Sequence, residues 1–246
     1  MTQGSPRIAV VSGTSSGIGA AVAEAFLERG YTVVGLSRRG NPGLAERGGY
    51  IDRNADLRDA TAVDQAIASV PGAAEHGVKA VVLNAGYSPD PVDLPKLPWE
   101  TVADTYTTNV ATALNLVQAT CHLLKQAGGG SLTFVGASLA NGYRPERFAY
   151  AASKAAMTTL MRACSVEFAG DGIVSNEVRP GPVATAMTMA GLDSAVNEQV
   201  LRAINKGFDT DWLKSPRTVA EWIATIAEFP SNGPTGQVFN YSRKVL

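Results

Sequence analysis

Tyr150 and Lys154 stand four residues apart in the run Tyr150-Ala151-Ala152-Ser153-Lys154. On a helix that spacing stacks a phenol and an ammonium on one face. A cation beside a phenol favours the phenolate, which predicts a tyrosine tuned for proton transfer near neutral pH. Tyr-x-x-x-Lys alone occurs on many helices, so its meaning depends on its company. Ser138 precedes Tyr150 by twelve residues and follows an apolar run that reads as a buried strand. A second tyrosine, Tyr143, also has a basic residue four positions on, Arg147, but Pro145 between them argues against a regular helix. Tyr143, Arg144 and Arg147 therefore read as a loop near the substrate. An arginine there either pairs with a substrate carboxylate or is a solvated loop charge.

Far upstream lies Ser12-Gly13-Thr14-Ser15-Ser16-Gly17-Ile18-Gly19, between an apolar strand and a helical pattern. Glycines let a backbone approach a pyrophosphate, and a helix N-terminus offers free N–H groups and positive dipole. Gly13, Ser15, Ser16, Gly17, Ile18 and Gly19 are the candidate phosphate cradle; the alternative is a structural tight turn.

The elements that must hold these groups follow from periodicity. Residues 8–12, 32–36, 50–51, 79–83, 131–135, 173–178 and 237–241 read as strands, the third weakly. Helical patterns fall between them, including a long one over 99–126, broken near Asn109, and one over 150–168. Residues 40–49 read as a polar, glycine-rich connection. Strand–helix alternation predicts an α/β fold, one domain over 1–246: a doubly wound parallel sheet of about seven strands, helices on both faces. Asn84, Ser138 and Pro180 then fall at carboxyl ends of strands, where open parallel sheets bind ligands. Residues 184–214 carry Met187, Met189, Leu192, Phe208 and Trp212 without a strand signal. They read as a lid over the site or as an ordinary helical excursion.

The glycine spacing, with Tyr150 and Lys154, resembles the classical short-chain dehydrogenase/reductase family, and the likeness runs along nearly the whole chain. Leu83-Asn84-Ala85-Gly86 is similar to the family's Asn-Asn-Ala-Gly motif, with leucine first. Asn109 matches its catalytic asparagine, and Asp56-Leu57 resembles the pair beside the adenine. Asn176 and Pro180-Gly181-Pro182-Val183-Ala184-Thr185 resemble the segment that holds the nicotinamide. The resemblance implies a Rossmann-type fold and an oxidoreductase that reduces a small or medium carbonyl compound, or runs the reverse. Tyr150 would supply the proton, and Lys154 would lower its pKa and hold the nicotinamide ribose. Ser138 would bond the carbonyl oxygen, and Asn109 would anchor a water linking Lys154 to solvent. Asn84, Ala85, Gly86, Pro180, Gly181, Val183 and Thr185 would complete the cofactor site. Other readings stay open beside these: Asp56 as a helix cap, Thr185 as an N-cap of the lid, Asn109 as a local cap. Two other functions fit the scaffold, a redox-neutral isomerase, epimerase or dehydratase and a non-catalytic dinucleotide sensor.

Cofactor choice rests on Ser37-Arg38-Arg39 after the second strand. NAD-preferring sites place an acid there to accept from both ribose hydroxyls. Ser37 can instead donate to a 2′-phosphate, and Arg38 can add a charge-assisted bond. NADP(H) is therefore expected; the alternative is that the two arginines solvate a turn. Leu139, Ala140, Asn141, Tyr143, Tyr87, Pro182 and the methionine-rich 184–214 segment form the expected substrate pocket.

With 21 basic and 22 acidic residues the net charge is −1, which gives no nucleic-acid surface. No run is apolar enough to span a bilayer, and no Cys/His spacing suits a metal. Cys121 and Cys164 read as buried apolar residues, and the first residues lack a signal core, so a cytoplasmic protein is expected. The 99–126 and 150–168 helices are apolar around much of their circumference, which predicts a homo-oligomer. Dimer and tetramer both stay open, because Ser242-Arg243-Lys244-Val245-Leu246 replaces the family's usual glycine pair after the last strand.

Overall fold

The apolar runs become seven strands, all parallel, in the order β3-β2-β1-β4-β5-β6-β7. They are β1 (Ile8–Ser12), β2 (Thr32–Ser37), β3 (Tyr50–Asn54), β4 (Ala80–Leu83), β5 (Gly130–Val135), β6 (Ile173–Arg179) and β7 (Val238–Asn240). The computed structural model describes residues 6–142, 144–188 and 213–242. Central strands buried on both faces read as unbroken apolar runs, and every residue of β1, β4 and β6 is buried. Ile8 and Val10 of β1 face one core, and Ala9 and Val11 face the other, as period-two geometry requires.

The first core is closed by α3 (Ala60–Ala68), α6 (Thr112–Gln126) and α7 (Phe148–Glu167), through Val63, Leu116 and Met157. The second is closed by α1 (Gly17–Glu28) and α8 (Pro216–Ala227), through Phe26 and Ile223. The helix expected over 99–126 is α5 (Trp99–Tyr106), a wide π turn (Thr107–Ala111) and α6, and the break falls at Asn109 as expected.

Two expectations change, and one short element is new. The connection at 40–49 contains a short helix, α2 (Pro42–Ala45), started by proline in its first turn and capped by Asn41, whose Oδ1 accepts from Leu44 N–H at 3.2 Å. After α3 the chain makes a further turn of helix, α4 (Ala73–His76). Cys164 is buried but Cys121 only half so, because α6 turns that side toward solvent.

Most of the expected lid, with Met189, Leu192, Phe208 and Trp212, lies outside the described residues. Its base is described. Val183 and Lys214 form a parallel bridge, in which Ala184 N–H donates to Lys214 O at 2.8 Å and Lys214 N–H to Pro182 O at 3.1 Å.

Candidate active site

Strand order reverses between β1 and β4, and a crevice opens there beyond their carboxyl ends. Ser12 ties the two sides together. Its hydroxyl accepts from Asn84 N–H (2.9 Å) and Ala85 N–H (3.0 Å) and donates to Val82 O (3.2 Å). Asn84 Nδ2 donates back to Ser12 O at 2.9 Å. The glycine loop packs against this clamp. Gly13 takes φ +77°, and a Cβ there would lie 2.8 Å from Asn84 Nδ2. A Cβ on Gly19 would strike Gly13 O and lie 2.5 Å from Asn84 Nδ2, so α1 can start this close to the sheet only with glycine. Ser16 occupies the N-cap of α1 without capping it, and no acid sits in the first turn. The helix end thus keeps free donors and positive dipole facing the crevice.

At the outer end, Ser37 is buried and its Oγ accepts from Gly40 N–H at 3.0 Å, which leaves the hydroxyl proton to donate. Arg38 and Arg39 are exposed on the cleft wall beside Arg58. Arg58 pairs with Asp56 at 2.6 Å, and these bonds hold the Asp56 carboxyl down at about 2. Asp56 does not cap α3. Asp59 does, its Oδ1 accepting from Thr61 N–H (2.9 Å) and Ala62 N–H (3.3 Å). Leu57 is buried beneath, its carbonyl accepting from Asn115 Nδ2 at 2.9 Å.

At the inner end, α7 carries Tyr150 and Lys154, and Ser138 starts a 3-10 turn after β5. Lys154 is 4% exposed, and its Nζ donates to Val135 O at 2.9 Å. Burial brings it down to about 8, opposed by the negative charge of Glu177. Burial pushes Tyr150 up to about 12, against a smaller downward pull from Arg147. This corrects the sequence expectation that Lys154 lowers the phenol. Lys154 Nζ stands 5.8 Å from the ring centroid and donates to the β5 carbonyl, so desolvation dominates.

Asn109 is fully buried in the π turn. Its Oδ1 accepts from Tyr87 N–H at 2.6 Å, and its Nδ2 donates to Tyr87 O and Ser153 Oγ, both at 2.9 Å. It lies behind the wall next to Lys154: a Cβ on Gly86 would be 3.2 Å from Asn109 Oδ1 and 3.5 Å from Lys154 Nζ.

These groups share one cleft of about 1070 Å³. Its wall includes Gly13, Ser15, Ser16, Gly17 and Ile18 of the loop, and Ser37, Arg38, Asp56 and Leu57 at the outer end. Asn84, Ala85, Gly86, Ser138, Tyr150, Lys154, Pro180, Gly181, Val183 and Thr185 line the remainder. Of the residues picked from sequence, Gly19 and Asn109 lie behind the lining and support it. Thr185 closes over Gly17, whose Cβ would lie 3.2 Å from Thr185 Cγ2. In the expected substrate pocket Leu139, Pro182 and, from the 184–214 segment, Met187 reach the cleft, whereas Ala140, Asn141 and Tyr87 do not; Tyr143 lies outside the described residues. Sequence reasoning missed Arg58, whose signal was its place two after Asp56, and Ser242, which only the return of the chain past β7 brings in.

The glycine cradle, the uncapped helix end and an elongated cleft from Arg38 to Tyr150 fit a dinucleotide. Among the described residues no cluster of metal-binding side chains exists, and no helix is long and apolar enough to cross a membrane.

Comparison with known proteins agrees. The family model for short chain dehydrogenase matches residues 7–194. An NADPH-dependent aldehyde reductase-like protein of Arabidopsis thaliana is 32% identical over 79% of this chain and 78% of its own. The 2,3-dihydro-2,3-dihydroxybenzoate dehydrogenase of Escherichia coli is 32% identical over 88% of each chain. A structure from Beutenbergia cavernae, provisionally assigned as an NAD(P)-dependent gluconate 5-dehydrogenase with NADP bound at low occupancy, superposes with a TM-score of 0.79 at 26% identity. That match covers 96% of this chain and 95% of the other. The chain therefore belongs to the short-chain dehydrogenase/reductase family and is an oxidoreductase acting on CH–OH or C=O groups with NAD(P).

Proposed function

We propose that the protein is an NADP(H)-dependent reductase of a small or medium carbonyl compound, with Tyr150 as the general acid. The observation that carries the reading is the convergence of Tyr150, Ser138 and buried Lys154 at the inner end of the cleft. A bound nicotinamide dinucleotide would supply the hydride. Tyr150, held near 12, keeps its proton at neutral pH and can give it to a carbonyl oxygen gaining negative charge. The Ser138 hydroxyl donates to that oxygen and orients it. Lys154, mostly charged at neutral pH, sets positive charge beneath the tyrosine and, with Val135 O and Met157 Sδ taking two of its N–H groups, offers the third to a ribose. Asn109 fixes the Tyr87 backbone and Ser153, and so the wall behind Lys154.

For the 2′-phosphate, Ser37 keeps a hydroxyl proton to donate, and Arg38, Arg39 and Arg58 surround the same end. The only acid lining the described cleft, Asp56, is neutralised by Arg58. NADPH in the name of the Arabidopsis relative and NADP in the Beutenbergia structure support this choice. We place the enzyme in the cytoplasm, where free Cys121 and Cys164 suit a reducing compartment.

The test follows reduced-cofactor absorbance against a panel of aldehydes and ketones with both cofactors. NADPH should be preferred. Arg38→Ala should weaken NADPH about 10–150-fold and leave NADH nearly unchanged, and Ser37→Asp should reverse the preference. Tighter binding of NADH than NADPH by the wild type would sink the cofactor assignment.

A further inference from the structure

Two loops join to form the inner wall of the cleft. Val92 N–H donates to Glu146 O at 3.2 Å, and Arg147 Nη1 donates to Ser88 Oγ at 3.2 Å and Pro89 O at 3.0 Å. Glu146 sits between Arg144 and Arg147 at φ +65°, a left-handed backbone that a glutamate adopts only when its surroundings hold it there. The cross-loop bonds hold it, and both arginines line the cleft. Arg147 pulls on the Tyr150 phenol electrostatically, so its charge acts where the reacting oxygen would sit. Its hydrogen bonds to the wall use Nη1 and leave Nε and Nη2. Neither arginine has an ion-pair partner among the described residues, and the cleft's acid, Asp56, is taken by Arg58.

Arg147 is half-buried and Arg144 exposed on the same cleft wall, and guanidinium groups with no counter-charge from the protein offer charge-assisted hydrogen bonds to an anionic group on the ligand. We propose that the substrate carries an oxyanion, as in a short oxo acid, and that Arg144 and Arg147 form the subsite that receives it while Tyr150 faces the carbonyl. The inference rests on the carbonyl-reductase reading above and narrows its substrate class.

The test compares 4-oxopentanoate and 4-oxobutanoate with their methyl esters. Turnover is followed by NADPH absorbance, and binding is measured by calorimetry on Tyr150→Phe saturated with NADP⁺. The acids should be favoured over the esters by about tenfold or more in kcat/KM and in dissociation constant, and less so at high salt. Arg144→Gln should reduce that ratio in both assays, and Arg144→Glu should invert it. Arg147→Met should also reduce it, with its melting temperature checked because Arg147 braces two loops. Equal treatment of acid and ester by the wild type, or a preference unmoved by Arg144→Gln and Arg147→Met together, would overturn the subsite. If the acids bind preferentially but no carbonyl is reduced with either cofactor, the subsite stands and the reductase reading falls.

Discussion

Tyr150 and Lys154 share a helix face, and burial acts on both by disfavouring charge: the phenol goes up to about 12 and the ammonium down to about 8. The phenol therefore keeps its proton at neutral pH, as the proposed general acid must, and of the two groups the lysine titrates nearer to neutral pH. Tyr150→Phe should lower turnover by about 10²–10⁴-fold while NADPH affinity and melting temperature stay near wild type; retained turnover would end the mechanism. The rate should also fall as pH rises through about 8, where Lys154 loses its charge. Glu177 supports that charge from β6, itself buried against Arg179 at 2.7 Å. Glu177→Gln should shift the fall in kcat/KM to lower pH, and a profile that keeps its midpoint would remove Glu177 from the account. The stability consequence has a definite sign. Folded Lys154 binds its proton less tightly than an unfolded lysine near ~10.4, so it costs stability at neutral pH, and that cost fades as pH rises from about 8 toward 10.4. The melting temperature of the wild type should accordingly gain on that of Lys154→Met between about pH 7.5 and pH 9.5.

Elements place these residues through their carboxyl ends. β1, β4, β5 and β6 end at Ser12, Leu83, Val135 and Arg179, and the groups lining the cleft begin within three residues of each end. Much of this was legible because a parallel strand buried on both faces writes an unbroken apolar run, as in Val10-Val11 or Val81-Val82. β3 was weakly legible because Asp52, Arg53 and Asn54 interrupt its pattern at the sheet edge. Bonds across long separations left no local signal. Asn109 to Tyr87, Ser12 to Asn84 and Arg147 to Pro89 exist only once the sheet has formed. The same holds for the direction of the Tyr150 shift, which depends on desolvation and not on spacing. Ser12 offers the test at this scale. It is 2% exposed, and its hydroxyl serves two N–H donors and one carbonyl. Ser12→Ala should cost about 1–3 kcal/mol in chemical denaturation and weaken cofactor binding, while Ser12→Thr, which keeps the hydroxyl, should restore most of both. Equal stability of alanine and serine forms would show that the clamp does not hold β1 to β4.

For the whole molecule, the near-neutral charge of −1 leaves association to apolar surface and shape. One face of the sheet carries more apolar helix than the sheet can cover. Trp99 of α5 is 73% exposed and Val166 of α7 is 77% exposed, with Leu114 of α6 and Phe148 of α7 partly so. Large exposed apolar side chains on neighbouring helices mark an association surface more often than isolated ones do. α8 and β7 offer less: there Trp222 stacks on Tyr241 at 5.2 Å and 19°, so part of its ring is already covered within the chain. A homo-oligomer built through α5, α6 and α7 is therefore expected, its outer faces left to α1 and α8. Light scattering over micromolar concentrations should give a dimer or tetramer. Leu114→Glu combined with Val166→Glu should lower the assembly state, because a carboxylate buried at a symmetric contact meets its own copy or loses its water. Trp222→Glu should leave that contact intact. A strict monomer in the wild type, or dissociation by Trp222→Glu and not by the α6–α7 pair, would place the association surface elsewhere.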